Sequence, residues 1–164
     1  MIASVAVHGR LCSLRGLTDA DACPDTSSEW DAWDDGERVR GDHHRAAVMI
    51  DDTIIGTTSW HAVHYGPTLA SRAWSMGIAL APEWRGQGWG SVAQRLLADH
   101  LLLTAHRVEA CTDIDNVAEQ RSLEKAGFIR EGVLRGAQMR ADGRHHDLVM
   151  YAKVRSSGAT TLAG

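Results

Sequence analysis

The sequence predicts an α/β domain built on a mixed central sheet of about seven strands, with helices on both faces. Two observations support this prediction. Short apolar runs rich in β-branched residues alternate with turn residues along the chain, as strands do. Between two such runs in the second half lies a long helical pattern, and this arrangement is a βαβ unit with parallel strands and a right-handed crossover. The 164 residues suffice for one domain, which we expect to span 1–155, followed by a disordered tail at 156–164.

Periodicity and turn residues place the elements in order. Residues 1–9 are expected to be a short lead-in, and Thr18 or Asp19 is expected to cap a short helix. The polar residues 24–44 are expected to hold one or two short helices, and the longest helix is predicted at 89–105. The predicted strands cover residues 10–14, 45–50, 53–65 with a bend or bulge at Gly56, 71–80, 106–112, 128–139 and 145–154, and tight turns are predicted at Asp51-Asp52 and Asp142-Gly143.

A glycine-rich turn joins the fourth predicted strand to the longest helix. Pro82 ends the strand, and the sequence Arg-Gly-Gln-Gly-Trp-Gly at residues 85–90 leads into the helix. Glycines let the backbone approach a ligand closely, and the first amides of a helix, which lack intrahelical partners, attract anions. Arg85 adds a charged donor. The turn therefore predicts a phosphate site. Its residue order matches neither a P-loop nor a dinucleotide-binding turn, and a simple connecting turn is the alternative.

Charge, cysteine and histidine patterns argue against several classes of function. The net charge of −4 argues against a broad nucleic-acid interface. The three cysteines and nine histidines do not have the spacing of a metal site, so we expect no metal. No segment approaches the roughly 18–20 apolar residues that span a membrane, and the amino terminus lacks a signal-peptide pattern. We therefore expect a cytoplasmic protein that binds neither nucleic acid nor membrane.

A second signature, Asn-Val-Ala-Glu-Gln-Arg-Ser-Leu-Glu-Lys-Ala-Gly-Phe, lies at residues 116–128 and is followed by Arg-Glu-Gly-Val-Leu-Arg. Asn116 is a predicted helix N-cap with Glu119 at the reciprocal capping-box position, and Gly127 is a predicted C-cap glycine. Together with Arg-x-x-Gly-x-Gly at 85–90, this signature resembles the GNAT superfamily of N-acyltransferases. The similarity is greatest to its ribosomal-protein-alanine N-acetyltransferase-like branch, and it extends from the first predicted strand to the last.

The resemblance implies a GNAT fold in which the fourth and fifth predicted strands splay apart and bind acetyl-CoA, the co-substrate, between them. The pantetheine arm would lie along the fourth strand as an added strand would. The pyrophosphate would bind the glycine-rich turn, and an amide near Ile78 would stabilise the oxyanion while the acceptor amine attacks the thioester. The implied cofactor-binding residues are Ile78, Ala79, Leu80, Arg85, Gly86, Gln87, Gly88, Trp89, Gly90 and Asn116.

The resemblance also suggests catalytic residues. Glu109, on the fifth predicted strand near the splay, is the candidate base for the amine proton, because related enzymes often place a glutamate there. A structural glutamate paired with a neighbouring arginine is an equal alternative. Many relatives supply the acid from a tyrosine or a serine, but the matching positions here hold Leu123 and Glu119. Ser122 is a nearby candidate acid, and the amine or solvent is the alternative source of the proton.

Tryptophans suggest where the acceptor binds. Trp30 and Trp33 would share one face of a helix and form either a hydrophobic anchor or a wall of the acceptor pocket. With Trp60 and Trp74 they could line an aromatic pocket for a small amine. We therefore expect a small-molecule amine acceptor, with a protein or peptide N-terminus as the alternative. A non-catalytic acyl-CoA-binding module is the alternative from another class, and a homodimer is compatible with the family.

Overall fold

One mixed sheet organises the fold. The structure, a computed structural model, describes residues 1–33, 36–37 and 41–156. Its strands are β1 Ala3–Val7, β2 Arg10–Gly16, β3 His44–Ile50, β4 Thr53–His64, β5 Arg72–Leu80, β6 Arg107–Asp113, β7 Ile129–Met139 and β8 His145–Val154, and its α-helices are α1 Trp89–Leu101 and α2 Val117–Lys125. The strands lie in the order β1-β2-β3-β4-β5-β6-β8-β7, and within this described sheet only the β5–β6 pair is parallel. The predicted α/β class is confirmed, with one strand more than expected.

The additional strand is β1, which replaces the predicted lead-in. It pairs with β2 through a two-residue turn at His8 and Gly9, whose φ angles are 51° and 78°. Two left-handed residues give a turn whose twist matches that of the adjoining strands. The sequence prediction is wrong here because three of the five residues of β1 are alanine or serine, which give no β-branched run.

The helix predicted after β2 is a turn. The amide and the hydroxyl of Thr18 both donate to the Asp21 carboxylate, at 2.7 and 2.9 Å, instead of capping a helix. Arg15 pairs with the same carboxylate through two hydrogen bonds, at 3.0 and 2.6 Å, and this pairing holds the pKa of Asp21 well below its usual range. In the described part of 24–44, the helical structure is a single 3₁₀ turn, Glu29–Asp31.

Both α-helices of the described chain pack against the same face of the sheet, although the sequence predicts helices on both faces. Their buried side chains share one core with the strand residues that point to this face. α1 ends at Leu101 instead of residue 105. Residues of the segment 26–33 line a cavity together with Arg45, Thr57 and Ser59, whose positions on β3 and β4 direct their side chains to the opposite face. Prominent core residues are Ala93, Leu97 and Leu123 from the helices and Leu14, Val48, Met76, Val108, Val149 and Tyr151 from the strands.

Strands β4 and β5 approach closely at Gly56, where the predicted bulge is confirmed. The register of β4 against β3 shifts between Val48 and Met49, so that Ile55 falls between two paired positions. A Cβ atom at Gly56 would lie 2.2 Å from the carbonyl oxygen of Ala79. A side chain therefore cannot be accommodated without a backbone shift. This contact fixes the end of β5, which carries residues predicted to bind the cofactor.

The predicted ends of α2 are confirmed, but not the full capping box. The side chain of Asn116 accepts a hydrogen bond from the Glu119 amide at 3.2 Å, and Gly127 has a φ of 91°. The Asn116 amide donates to the carbonyl of Asp113, so the reciprocal bond from Glu119 is replaced. In the described ranges, neither α-helix is long and apolar enough to cross a membrane. Residues 157–164 of the predicted tail lie outside the described residues.

Candidate active site

A cleft opens where β5 and β6 separate. The two strands are paired only at Trp74–Val108 and Ser75–Glu109, so that their carboxyl-terminal halves diverge, as the resemblance implies. The cleft has a volume of about 780 Å³ and reaches from the glycine-rich turn to the β7–β8 hairpin. Its walls include these predicted cofactor-binding residues: Ile78, Ala79, Leu80, Arg85, Gly86, Gly88, Gly90 and Asn116.

The backbone of β5 presents polar groups to this cleft. The carbonyl of Gly77 points towards β4, where it accepts a hydrogen bond from Oγ1 of Thr58 at 2.7 Å. Because successive residues of a strand direct their backbone groups to opposite edges, the N–H and C=O of Ile78 point into the gap between β5 and β6. This is the orientation that a pantetheine arm requires if it is to pair as an added strand. The carbonyl of Leu80 points the same way and accepts a hydrogen bond from Nε of Arg85 at 2.9 Å.

The glycine-rich turn presents backbone amides at the start of α1. Gly86 and Gly88 have φ angles of 72° and 87°, in the left-handed region that favours glycine. Gly88 is the N-cap of α1, and it has no side chain that could occupy the first amides of the helix. These amides and the helix dipole favour an anion at this end of the cleft.

Basic side chains border the same end of the cleft. Arg85 lies on the turn, while Arg121 and Lys125 lie four residues apart on α2 and also form part of the cleft wall. Sequence reasoning misses Arg121 and Lys125, although a basic pair at helical spacing inside the second signature is a usable signal. Together with the amides of the turn, these cations form an electrostatic environment suited to phosphate groups.

Residues 26–33, here called the strap, form the outer wall of the cleft and are held by two arginines. Nη2 of Arg85 donates to the carbonyls of Thr26 and Ser27, at 3.1 and 2.9 Å. Arg140 donates to the carbonyl of Trp30 farther along the strap. Arg85, predicted to bind phosphate, is therefore also engaged with the protein backbone. The strap residues that line the cleft are Thr26, Ser28, Glu29, Trp30, Asp31 and Trp33.

Arg140 is a buried cation whose charge is balanced by Asp113. Its Nη2 lies 3.1 Å from Oδ2 of Asp113, and only 5% of Arg140 and 3% of Asp113 are exposed. Nε of Arg140 donates to Gln138 at 2.8 Å, and Nδ1 of His146 lies 3.2 Å from the same oxygen of Asp113. The guanidinium carbon lies 5.4 Å from the ring centre of Trp33. One buried arginine thus links the end of β6, the β7–β8 hairpin and the strap.

The four tryptophans predicted to bind the acceptor lie in two separate places. Trp30 and Trp33 line the cleft from the strap. Trp60 and Trp74 instead pack against the core on the helix-covered face of the sheet, where His44 stacks on Trp60. Side chains alternate between the faces of a strand, and the sequence alone does not say which face each tryptophan takes. The structure therefore brings two of the four to the cleft.

Glu109, the predicted base, is held by two donors and is not part of the cleft wall. The Tyr65 hydroxyl donates to Oε2 of Glu109 at 2.6 Å, and Nε of Arg107 donates to the same oxygen at 2.9 Å. Arg107 also forms an ion pair with Glu131 at 2.7 Å. The hydrogen bond to Glu109 raises the pKa of Tyr65. This arrangement matches the alternative interpretation, a structural glutamate paired with a neighbouring arginine.

Glu119, which the sequence assigns only to a helix cap, lies in the cleft wall. Its carboxylate accepts a hydrogen bond from Nε2 of Gln94, a buried residue of α1. Ser122 donates to Oε1 of Gln94 at 2.8 Å, and its hydroxyl oxygen lies 3.2 Å from that of Ser91. Burial raises the pKa of Glu119 to about 7. Ser122, the candidate acid from the sequence, therefore lies in the cleft as one member of a network that ends on Glu119.

The remaining predicted residues contribute little to the cleft through their side chains. Gln87 donates to the carbonyl of Glu83 at 2.6 Å, and Trp89 is buried in the core. Both are absent from the walls of the cleft as the described residues form them, so their backbone amides are what they offer to a ligand. The described ranges also contain no group of three His, Cys, Asp or Glu side chains that could hold a metal ion.

Comparison with known proteins gives the relatives of the chain. Residues 13–129 match the model of the acetyltransferase (GNAT) domain. The "Probable N-acetyltransferase YjcK" of Bacillus subtilis (strain 168) is 37% identical over 104 residues, which are 60% of this chain and 56% of that protein. The chain therefore spans just over half the length of this curated relative.

Solved structures share the fold at lower sequence identity. RimJ of Mycobacterium smegmatis in complex with CoA-disulfide is 23% identical, with a TM-score of 0.60 over 68% of this chain and 53% of RimJ. The ribosomal-protein-alanine N-acetyltransferase from Brucella melitensis is 20% identical, with a TM-score of 0.57 over 69% of each chain. These likenesses confirm the fold that the resemblance implied. The family model matches more than half of the residues of this chain, and the chain therefore belongs to the GNAT acetyltransferase family.

Proposed function

We propose that this protein is an N-acetyltransferase that transfers an acetyl group from acetyl-CoA directly to the primary amine of a small molecule. One observation carries the proposal: β5 and β6 separate after a short parallel pairing, and the glycine N-cap of α1 lies at the end of the opening. Membership of the GNAT family supports acetyl-CoA as the co-substrate.

The walls of the cleft suggest how acetyl-CoA is oriented. Its phosphates would bind the amides of the glycine-rich turn with Arg121 and Lys125 beside them. Its pantetheine arm would pair with the backbone of Ile78. The amide of Ile78, which points into the gap, would then stabilise negative charge on the thioester oxygen during attack by the amine. The co-substrate supplies the activated acetyl group, and these residues bind and orient it.

The acceptor would enter at the end of the cleft bounded by the strap. Glu29 and Asp31 place negative charge there, which favours a cationic amine, and Trp30 and Trp33 provide an apolar wall. Pockets for small ligands usually have volumes of about 300–1,000 Å³. A cleft of about 780 Å³ that must also hold the pantetheine arm has room for a small acceptor.

A protein or peptide N-terminus is the second candidate acceptor. It is supported by the resemblance of residues 116–128 to the ribosomal-protein branch, and an α-amine would also be attracted by Glu29 and Asp31. Turnover with peptides but not with free amines of matched size would favour this candidate. Turnover with small polyamines and amino-acid amides but not with peptides would favour the first.

Thermal unfolding with and without acetyl-CoA tests the cofactor, and free adenosine nucleotides serve as the control. A ligand at a hundredfold its dissociation constant stabilises the folded state by about 2.7 kcal/mol. In a domain of this size this corresponds to a rise in Tm of about 5–10 °C. Release of CoA thiol with a panel of amines then tests the reaction. Absence of any rise with acetyl-CoA would contradict the proposal, while binding without thiol release would favour a non-catalytic acyl-CoA-binding module.

A further inference from the structure

Side chains that face each other across α1 and α2 form a series of hydrogen bonds in which the direction of donation is defined. The hydroxyl of Ser122 has one proton, which it donates to Oε1 of Gln94 at 2.8 Å. In the 3.2 Å contact between the two serine hydroxyls, Ser91 must therefore be the donor. The bond from Ser122 orients the Gln94 amide so that its Nε2 donates to Glu119. The chain of donors runs from Ser91 through Ser122 and Gln94 and ends on the carboxyl group of Glu119.

This chain uses one oxygen of Glu119 and leaves the other for the cleft. Oε1 accepts the hydrogen bond from Gln94, whereas Oε2 has no hydrogen-bond partner in the part of the chain that the structure describes. Oε2 is also not buried, because Nε of Arg72 is the single buried side-chain atom without a partner among those residues. Since Glu119 is a wall residue, Oε2 is the atom that reaches the cleft.

The surroundings of Glu119 favour its protonated form. Burial disfavours a negative charge and is the largest influence. The facing residues of the two helices, Ser91, Gln94 and Ser122, are neutral, and the negative charge of Asp31 on the strap also opposes ionisation. The hydrogen bond from Gln94 acts in the other direction and is outweighed. With a pKa of about 7, a substantial share of Glu119 carries a proton at neutral pH.

Glu119 also stands at the right place along the cleft. Ser122, which lies between Arg121 and Lys125 on α2, is 3.2 Å from Ser91 at the start of α1, and this contact places the two basic residues near the phosphate end. Asp31, on the strap at the proposed acceptor end, lies close enough to Glu119 for its charge to raise the pKa of that group. The reacting thioester of a bound acetyl-CoA must lie between these two ends. Glu119, in the first turn of α2, lies between these ends, so that the sulfur atom of a bound acetyl-CoA would pass beside it.

The other carboxyl groups of the cleft are less suited to protonate a leaving group. Asp113 is committed to the buried ion pair with Arg140. Glu29 and Asp31 are exposed on the strap. Among the described wall residues, Glu119 is the carboxyl group that combines a largely buried environment with an oxygen open to the cleft.

We propose that Glu119 is the general acid of the acetyl transfer, an inference that rests on the proposed function. The free amine attacks the carbonyl carbon, and the tetrahedral adduct collapses with cleavage of the carbon–sulfur bond, whose electron pair stays on sulfur. The proton on Oε2 of Glu119 passes to that sulfur and forms the CoA thiol. The proton that the nitrogen loses when the amide forms returns through water to the carboxylate. Ser91, Ser122 and Gln94 are positioning residues for this carboxyl group.

The test is the pH dependence of kcat in the wild-type protein and in Glu119→Gln. A general acid must be protonated, so wild-type kcat at saturating substrates should fall as pH rises through about 7. Glu119→Gln keeps the oxygen that accepts from Gln94 but has no acidic proton. Its kcat at neutral pH should be at least about 100-fold lower, without the falling limb, as expected for loss of general acid catalysis. Its acetyl-CoA affinity by calorimetry should stay within about threefold of wild type.

Two further variants separate the chemical role from a structural one. Glu124→Gln, on the same helix but outside the cleft wall, still offers an oxygen to the Tyr151 hydroxyl and should behave as wild type. Glu119→Asp keeps an acidic proton and should retain the falling limb at reduced kcat, which preserves the test if Glu119→Gln does not fold. Wild-type turnover with Glu119→Gln active to within about threefold at every pH would overturn the acid role and leave the proposed function standing. No turnover by the wild-type protein with any amine would overturn the proposed function itself.

Discussion

Replacement of Arg140 by methionine tests how the acceptor end of the cleft is held together. Methionine keeps an unbranched apolar side chain but removes the charge and all hydrogen-bond donors. Asp113, which is 3% exposed, would then remain buried without its ion-pair partner at 3.1 Å, and the carbonyl of Trp30 would lose its donor. Removing one partner of a buried ion pair costs about 3–5 kcal/mol, because the other charge stays desolvated. We expect Arg140→Met to lower the free energy of unfolding by this amount.

The expected change is large enough to measure in two ways. In a domain of this size, 1 kcal/mol shifts Tm by about 2–4 °C, so Tm should fall by about 6–20 °C. Urea unfolding gives the change in free energy directly.

A matched control and a double-variant cycle make this prediction refutable. Arg45 also lines the cleft but is exposed, so Arg45→Met should change stability by no more than about 0.5 kcal/mol. Asp113→Asn combined with Arg140→Met should cost less than the sum of the two single changes, because neither group is then left charged and unpaired. A cost of less than about 1 kcal/mol for Arg140→Met, or strict additivity, would show that the buried pair does not hold the strap and hairpin together.

Further outcomes follow from the positions of other residues. Glu109→Gln should lower stability by about 1–3 kcal/mol, since it weakens the hydrogen bonds that the buried Glu109 carboxylate accepts from Tyr65 and Arg107, and it should leave kcat within about threefold. A hundredfold loss of kcat at unchanged stability would restore the catalytic interpretation. Gly56→Ala should lower stability by about 1–3 kcal/mol or more, because its Cβ would meet a backbone oxygen at 2.2 Å. It should also lower the acetyl-CoA affinity measured by calorimetry. Unchanged affinity would show that the end of β5 does not depend on this contact. Trp33→Ala should raise the KM for the acceptor, whereas Trp60→Ala should lower Tm and leave this KM unchanged. A raised KM in Trp60→Ala and an unchanged KM in Trp33→Ala would place the acceptor on the other face of the sheet.

Those parts of the fold that depend on local signals can be predicted from the sequence. The cap at Asn116 and the hairpin turn at Gly143, with a φ of 74°, occur where the residues indicate. The helix predicted at Thr18 fails because its hydroxyl and amide bind Asp21, which Arg15 holds from the adjoining strand. Periodicity does not encode such a three-residue contact. A residue type that favours helix caps also favours turns. Whether it caps a helix or closes a turn depends on the group with which it forms hydrogen bonds.

The candidate site likewise has one end that local sequence predicts and one end that depends on contacts between distant residues. Its phosphate end is predictable, because a glycine-rich turn at a helix start presents backbone amides whatever surrounds it. Its acceptor end depends on the register and on the face to which each strand residue points, which is why Trp60 cannot be told from Trp33 in the sequence. The environment of Glu119 depends on Gln94, which lies 25 residues earlier on another helix. Burial, which raises the pKa of Glu119, likewise becomes visible only when both helices are in place.

The uneven distribution of helices explains why two arginines are needed beside the cleft. Both α-helices of the described chain cover one face of the sheet, and the strap lies on the other side of the cleft from them. An irregular segment does not satisfy its own backbone carbonyls, so other groups must supply donors. Arg85 does so at the start of the strap and Arg140 at its middle, and a guanidinium can serve several acceptors at once. Because Arg85 also borders the phosphate end, one side chain connects the wall of the acceptor site with the turn that would bind the co-substrate.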